Sequence, residues 1–272
     1  MPELKKVPGT DILYREWPAA DPQAVFLLVH GIGAHSERWQ FLAKFFLEKN
    51  ISSYALELKG FGDTAGLKGH ISSFKEYYRD INQLSEFIRK ELPGKKIFLI
   101  GESMGALICF VLALVLPGNY EGLICISPAF KSKLKFSFIE YLKIFSAVIF
   151  NKKKVFPIPF DEKMCTRDAE YSKIMEKDPR ELRYATAGML FQNLLVQLQA
   201  KILASKMDMP NLFLLSGIDT LVSQKESNKI FKKIKVSDKK LIEYPEMKHA
   251  LSIDLGREKV FGDIWEWIRG KA

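Results

Sequence analysis

Cysteine is scarce in these 272 residues. Cys109, Cys125 and Cys165 are an odd number, widely spaced, and two of them lie inside apolar runs. A disulfide framework is thereby excluded, and the three read as buried thiols in a reducing compartment. Long apolar runs are also missing: the longest, Ala106 to Leu116, reads as a buried helix, well short of the ~20 residues that cross a bilayer. The opening residues, Met1-Pro2-Glu3-Leu4-Lys5-Lys6, reach Pro8-Gly9 without an apolar stretch, so no signal peptide is expected and the expected location is cytoplasmic. Histidine occurs four times, at 30, 35, 70 and 249, with no pair at metal-ligand spacing. There is no Gly-x-x-x-x-Gly-Lys-Ser/Thr phosphate loop, and the dinucleotide fingerprint is absent from the first strand-helix turn. No metal and no other cofactor is expected.

Core and charge are present in ordinary amount. The chain is 47% hydrophobic and 27% charged, the composition of a globular protein long enough to bury a core unaided. Its net charge of +9 is unevenly placed: residues 131–156 hold seven lysines (131, 133, 135, 143, 152, 153 and 154) against Glu140 alone, a net +6. These lysines alternate with Leu134, Phe136, Phe138, Ile139, Leu142, Ile144 and Phe145. Nucleic acid is not expected as a partner, because the pattern fits an amphipathic, membrane-facing segment better.

Short β-branched and aromatic runs alternate with longer helical patterns, the signature of parallel strands joined by crossover helices. Strands are read at Ile12 to Trp17, Val25 to Val29, Ser53 to Leu58, Lys96 to Ile100, Gly122 to Ile126, Asn211 to Leu215 and Lys240 to Tyr244. Helices are read at Glu37 to Glu48, Phe74 to Glu91, Met104 to Leu116, Gln224 to Ile234 and Arg257 to Arg269. Between Pro128 and Pro210 the rhythm fails. That stretch shows no convincing strand and reads as a helical insertion rising from an α/β sheet.

Gly101-Glu102-Ser103-Met104-Gly105 directly follows one strand and opens a helix. A serine on so sharp a turn is exposed above the sheet edge, and flanking glycines let the chain turn without a clash: a nucleophile elbow. Serine is a weak nucleophile until a base takes its proton, so a histidine and an orienting carboxylate are required. In folds built on such an elbow the acid and then the histidine follow the serine, which leaves His249, in a loop just past the last strand. Asp219 lies at the carboxyl end of Asn211 to Leu215, and the next strand delivers His249 thirty residues later. The other acids fit less well: Asp208 precedes its strand, Asp161, Asp168 and Asp178 fall in the insertion, and Asp238 sits at the wrong strand end. Glu243 and Glu246, close to His249, read as structural or supporting groups. The oxyanion needs two backbone donors. Met104 supplies one, and Ile32, freed between Gly31 and Gly33, supplies the other. His30 reads as a structural hydrogen-bonder beneath that loop.

The segment His30-Gly31-Ile32-Gly33-Ala34-His35-Ser36 with Arg38-Trp39 resembles the HGxGxHSxRY stretch of the monoacylglycerol lipase and lysophospholipase group of α/β-hydrolases. The likeness continues through Ser72-Ser73-Phe74-Lys75-Glu76-Tyr77-Tyr78-Arg79-Asp80, the elbow, Thr166-Arg167-Asp168 with Asp178-Pro179, Gly217-Ile218-Asp219 and His249. It implies the α/β-hydrolase fold: a mostly parallel central sheet flanked by helices, with a helical cap inserted after the sixth strand. The core would then be 1–130 and 209–272, and the cap 131–208. It further implies hydrolysis of a single acyl ester of glycerol or a lysolipid by Ser103, Asp219 and His249, under a mobile cap over an apolar acyl tunnel. Two stretches depart from the family pattern. Glu102 stands where members commonly carry histidine, and Glu57-Leu58-Lys59-Gly60-Phe61-Gly62-Asp63-Thr64 stands for DxRGHGxS. Glu102 reads as hydrogen-bonded support rather than an acid/base group.

Within the cap, Phe136, Phe138, Ile139, Leu142 and Phe145 are expected to contact the acyl chain, and the run from Phe136 to Phe150 to form a lid. The same segment reads equally as a basic, apolar-faced helix resting peripherally on a membrane or as a cap helix packed on its own core with a solvated lysine fringe. Three functions stand: a cap-gated esterase acting on monoacylglycerol or lysophospholipid; a thioesterase, peptidase or acyltransferase on the same triad; and a non-catalytic binding protein on the same fold. The expected partner is a lipid ester substrate, and the sequence sets no oligomeric state.

Overall fold

The run Ala24-Val25-Phe26-Leu27-Leu28-Val29 offers no polar side chain to either face, so a strand built from it must be covered on both sides. All six residues are buried. The computed structural model describes residues 2–117 and 120–271. In chain order the strands are β1 (Lys5–Lys6), β2 (Leu13–Trp17), β3 (Ala24–Val29), β4 (Ile51–Glu57), β5 (Lys96–Glu102), β6 (Gly122–Ile126), β7 (Val155–Pro157), β8 (Tyr184–Thr186), β9 (Asn211–Ser216) and β10 (Lys239–Tyr244). The helices are α1 (Gln40–Leu47), α2 (Phe74–Glu91), α3 (Met104–Val115), α4 (Phe138–Phe150), α5 (Glu162–Cys165), α6 (Ala169–Lys177), α7 (Ala187–Leu203), α8 (Gln224–Lys233) and α9 (Arg257–Ile268).

Eight strands form one sheet in the order β1-β2-β4-β3-β5-β6-β9-β10, parallel except where β2 meets β1 and β4. Strand alternation divides the core in two. Val25, Leu27 and Val29 pack with Phe74, Tyr77, Ile81 and Leu84 of α2 and with nearly all of α3. On the opposite face Ala24, Phe26 and Leu28 pack with Leu42, Ala43 and Phe46 of α1 and with Val260, Phe261 and Ile264 of α9. Ser73 starts α2 with a reciprocal capping box: its hydroxyl meets the first turn and the Glu76 carboxylate returns to the Ser73 N–H. All three cysteines are free and buried.

The sheet contains all seven strands read from sequence, with β4 beginning two residues earlier and β5 running on to Glu102, and adds the unread edge strand β1, whose two lysines carry no strand signal. Glu37 to Glu48 divides into a 3₁₀ turn, Ser36–Trp39, and α1. The insertion falls after β6, and it departs from the all-helical expectation. Val155 pairs antiparallel with Thr186, and Pro157 with Tyr184, so β7 and β8 make a separate two-stranded sheet. Strands of three residues are too short to leave a readable alternation. Between them lie α5 and α6, while α4 and α7 pack against each other and α7 also packs on α3. Among the described residues no helix is long and apolar enough to cross a membrane.

Candidate active site

Ser103 sits between β5 and α3 with φ 58° and ψ −118°, a strained conformation for a residue bearing a Cβ. Its N–H donates to the Ile126 carbonyl at 2.9 Å, and its own carbonyl accepts from the Ala129 N–H at 3.1 Å, which locks the turn to the end of β6. The flanking glycines are required by packing. A Cβ on Gly101 would lie 2.4 Å from the Gly105 carbonyl carbon, and one on Gly105 would lie 2.1 Å from the Val29 carbonyl oxygen.

Asp219 and His249 come from the ends of β9 and β10. Asp219 is buried, and its two oxygens divide their work. Oδ1 accepts from the N–H groups of Leu221 at 2.8 Å and Val222 at 2.9 Å, while Oδ2 lies 2.7 Å from His249 Nδ1. With Nδ1–H donated to the carboxylate, His249 Nε2 is left as the acceptor. Burial would push the imidazole down, but the Asp219 charge and hydrogen bond outweigh it, so His249 is held above its ordinary value. Asp219 moves the opposite way: burial would raise it, and His249 together with the two N–H donors holds it below the usual carboxylate range. Gly217 permits the approach of the two loops, since a Cβ there would lie 2.3 Å from the Pro245 carbonyl oxygen.

Ser103, His249, Ile32 and Met104 all line one cavity of about 430 Å³. Beneath Ile32 the loop is braced as expected by His30, whose Nδ1 lies 2.9 Å from the Gly31 carbonyl and whose Nε2 accepts from the Leu58 N–H at 3.0 Å. Burial pushes His30 down to about 4, which suits a neutral structural imidazole. Glu57 braces the same loop, accepting from Ser36 N–H at 2.7 Å and Asp63 N–H at 2.9 Å.

Of the inserted residues named from sequence, Phe136 and Phe145 line the cavity. Phe138, Ile139 and Leu142 do not. A helix turns 100° per residue, so Tyr141, Ile144, Phe145 and Val148 share the face toward Ser103, while Ile139 and Leu142 join Phe150 along an outer groove. Sequence reading did not assign the remaining apolar wall, Leu190, Phe191 and Leu194 of α7 with Ile158 and Phe160 beside β7. Its only signal was helical periodicity, which core packing produces equally.

The insertion is tied to the sheet by charge. Arg38 donates to both oxygens of Glu181, at 2.6 and 2.7 Å, and Arg180 reaches Glu37 at 2.7 Å and Asp178 at 2.6 Å. A second latch holds the histidine loop. The buried Asp254 carboxylate accepts from the N–H of Lys248 at 2.8 Å, from Arg167 N–H at 2.6 Å and from the Thr166 hydroxyl at 3.1 Å. Asp254 was invisible to spacing arguments, because its partners in the insertion, Thr166 and Arg167, lie more than eighty residues away. Among the described residues no cluster of His, Cys, Asp and Glu could hold a metal.

Among known proteins the chain is similar to several lipases. The family described as serine aminopeptidase, S33 matches residues 20–256. The chain is 27% identical to the monoglyceride lipase of Homo sapiens over 98% of its own length and 90% of that protein. It is 24% identical to the monoacylglycerol lipase of Mycolicibacterium smegmatis, covering 96% and 94%. Among solved structures, the monoacylglycerol lipase of Paleococcus ferrophilus superposes with a TM-score of 0.85 at 25% identity, over 99% of this chain and all of that one. A soluble variant of the Saccharomyces cerevisiae monoglyceride lipase, in complex with a substrate analog, shares the fold with a TM-score of 0.87 at 20% identity, over 100% and 96%.

Proposed function

The chain belongs to the serine aminopeptidase, S33 family and is a carboxylic ester hydrolase of the α/β-hydrolase fold, and on that premise we propose that it cleaves a single-acyl glycerol ester, a monoacylglycerol or lysophospholipid, through an acyl-enzyme on Ser103. The observation that carries this reading is the cavity, which surrounds the elbow serine with apolar side chains from α4, α7 and the loop after β9. An acyl chain leaving water for such walls gains ~0.8 kcal/mol per buried CH₂.

In this reading Ser103 Oγ attacks the ester carbonyl as His249 Nε2 takes its proton. The N–H groups of Ile32 and Met104 hold the oxyanion, and Asp219 holds the imidazole by Nδ1. The glycerol or lysolipid oxygen departs with the proton from His249. Water, deprotonated in turn by His249, then releases the fatty acid. Because His249 works as a neutral base and is held above its ordinary value, the acid limb of kcat/KM lies above 6.5, the unperturbed imidazole value.

Peptide substrates fit less well. An aminopeptidase needs a carboxylate for the α-ammonium group, and the one acid lining the cavity among the described residues, Glu102, already accepts two bonds from Ser252. The outer face of α4 extends the proposal to a lipid surface. Ile139 is 63%, Leu142 54% and Phe150 83% exposed, and Phe150 is followed closely by Lys152, Lys153 and Lys154, an arrangement that suits peripheral docking from the cytoplasm on anionic lipid.

A substrate panel tests the reading. Long-chain monoacylglycerols or lysophospholipids should be hydrolysed faster than acetate esters, acyl-CoAs and aminoacyl amides, with the activity absent in Ser103→Ala. Faster turnover of acyl-CoA or of an aminoacyl amide would reject it.

A further inference from the structure

Glu102 is the last residue of β5, buried beside Ser103, and it lines the same cavity as His249. Both of its oxygens are occupied from one residue: Oε1 accepts the Ser252 N–H at 3.1 Å, and Oε2 accepts the Ser252 hydroxyl at 2.9 Å. Ser252 lies three residues past His249 in the same loop. Burial pushes the Glu102 carboxyl above its ordinary range, while the Ser252 N–H, the His249 imidazole and the Ser252 hydroxyl pull it back; two donors aimed at its two oxygens favour the ionised form.

Burial works to lower the His249 imidazole; Asp219 raises it, Glu102 adds to that rise, and Arg38 opposes it. Arg38 is itself engaged by Glu181. The other titratable groups on the cavity wall are Lys131, Tyr141 and the Cys165 thiol, and burial pushes that thiol up to about 11, so it carries no charge near neutrality. The imidazole therefore faces two carboxylates of different kinds, one bonded to it and one bonded to its loop.

We propose that Glu102 is a positioning residue for His249: it holds the histidine loop through Ser252 and supplies a second negative charge that favours the imidazolium formed as Ser103 is deprotonated. The proposal rests on the reading of Ser103 as nucleophile and His249 as base. A carboxylate of this kind acts through another residue. Its removal should therefore change how His249 titrates, which loss of a purely mechanical support would not.

The test is the pH dependence of fluorophosphonate labelling of Ser103 and of ester hydrolysis in wild type, Glu102→Gln, Glu102→Asp and Ser252→Ala. In Glu102→Gln the acid limb should move to lower pH. Its plateau rate should fall ~10-fold, the size seen when carboxylates supporting metal-bound histidines are removed. Glu102→Asp, which keeps the charge, should restore the acid limb toward wild type even where the plateau stays low. Ser252→Ala should lower the plateau with the limb in place. An unmoved limb in Glu102→Gln, or an equal shift in Ser252→Ala, would overturn the proposal and leave Glu102 as a strut. Should Glu102→Gln fail to fold, the Asp variant decides, since a limb displaced despite the retained charge overturns it too. Failure of the underlying reading would show separately, as wild-type protein unlabelled at Ser103.

Discussion

Strand β3 and helix α4 are both strongly apolar, yet they use that property in opposite ways. Every residue of β3 is buried, whereas of the thirteen residues of α4 only Ala147 is. One face of α4 forms the cavity wall and the other faces outward. Cohesion of the sheet comes from side chains interdigitating on both faces. The insertion combines two fastenings: α7 sets Met189, Val196 and Ala200 into the same core as α3, and ion pairs and carboxylate latches join Arg38 to Glu181, Arg180 to Glu37, and Asp254 to Thr166 and Arg167. With α7 and the latches anchoring the insertion, most of the apolar surface of α4 remains free to meet a lipid.

Substitutions at the junction of the two regions should have the largest effect and leave both intact. Ser103→Ala or His249→Ala should lower ester turnover by ~10⁴ or more, Ser103→Ala with no change in thermal stability, and the double variant should lose little further turnover. Asp219→Asn should also be severe, because it favours the wrong tautomer of His249. A pair of phenylalanines separates the regions next. Phe26→Ala, emptying a fully buried site between β3 and α1, should cost ~3–5 kcal/mol in denaturant unfolding. Phe150→Ala, on the outer face of α4, should stay within ~0.5 kcal/mol. Similar losses at both sites would erase the contrast. The smallest effect concerns the lysines: replacing Lys152, Lys153 and Lys154 by glutamine should weaken sedimentation with anionic vesicles by ~1 kcal/mol per lysine at low salt. Binding to neutral vesicles should barely change, and salt should remove the difference.

The legible parts of this molecule are those whose signal is local. β3, β5 and β9 declared themselves as unbroken apolar runs, and the elbow pentapeptide could be placed because a strand and a helix adjoin it. Asp219 and His249 followed from their positions at strand ends. What stayed hidden depends on partners distant in sequence. The β7–β8 pair is too short for periodicity, and the pattern of α4 marks it as apolar without saying which side turns toward Ser103; Ile139 and Leu142 fall on its outer side, and Phe138, exposed in its first turn, lines neither the cavity nor the outer groove. The Glu102–Ser252 bonds span 150 residues, and nothing near Glu102 announces them.

The central claim is a covalent one, that the acyl group passes through Ser103 while an apolar wall holds its chain. Rapid quenching of the enzyme with a long-chain monoacylglycerol, followed by mass analysis of the peptide containing Gly101-Glu102-Ser103-Met104-Gly105, measures it directly. The account predicts an acyl adduct on Ser103 that forms as glycerol is released, decays as fatty acid appears, and is absent from Ser103→Ala. Steady release of fatty acid with no adduct on that peptide, or undiminished release by Ser103→Ala, would contradict it.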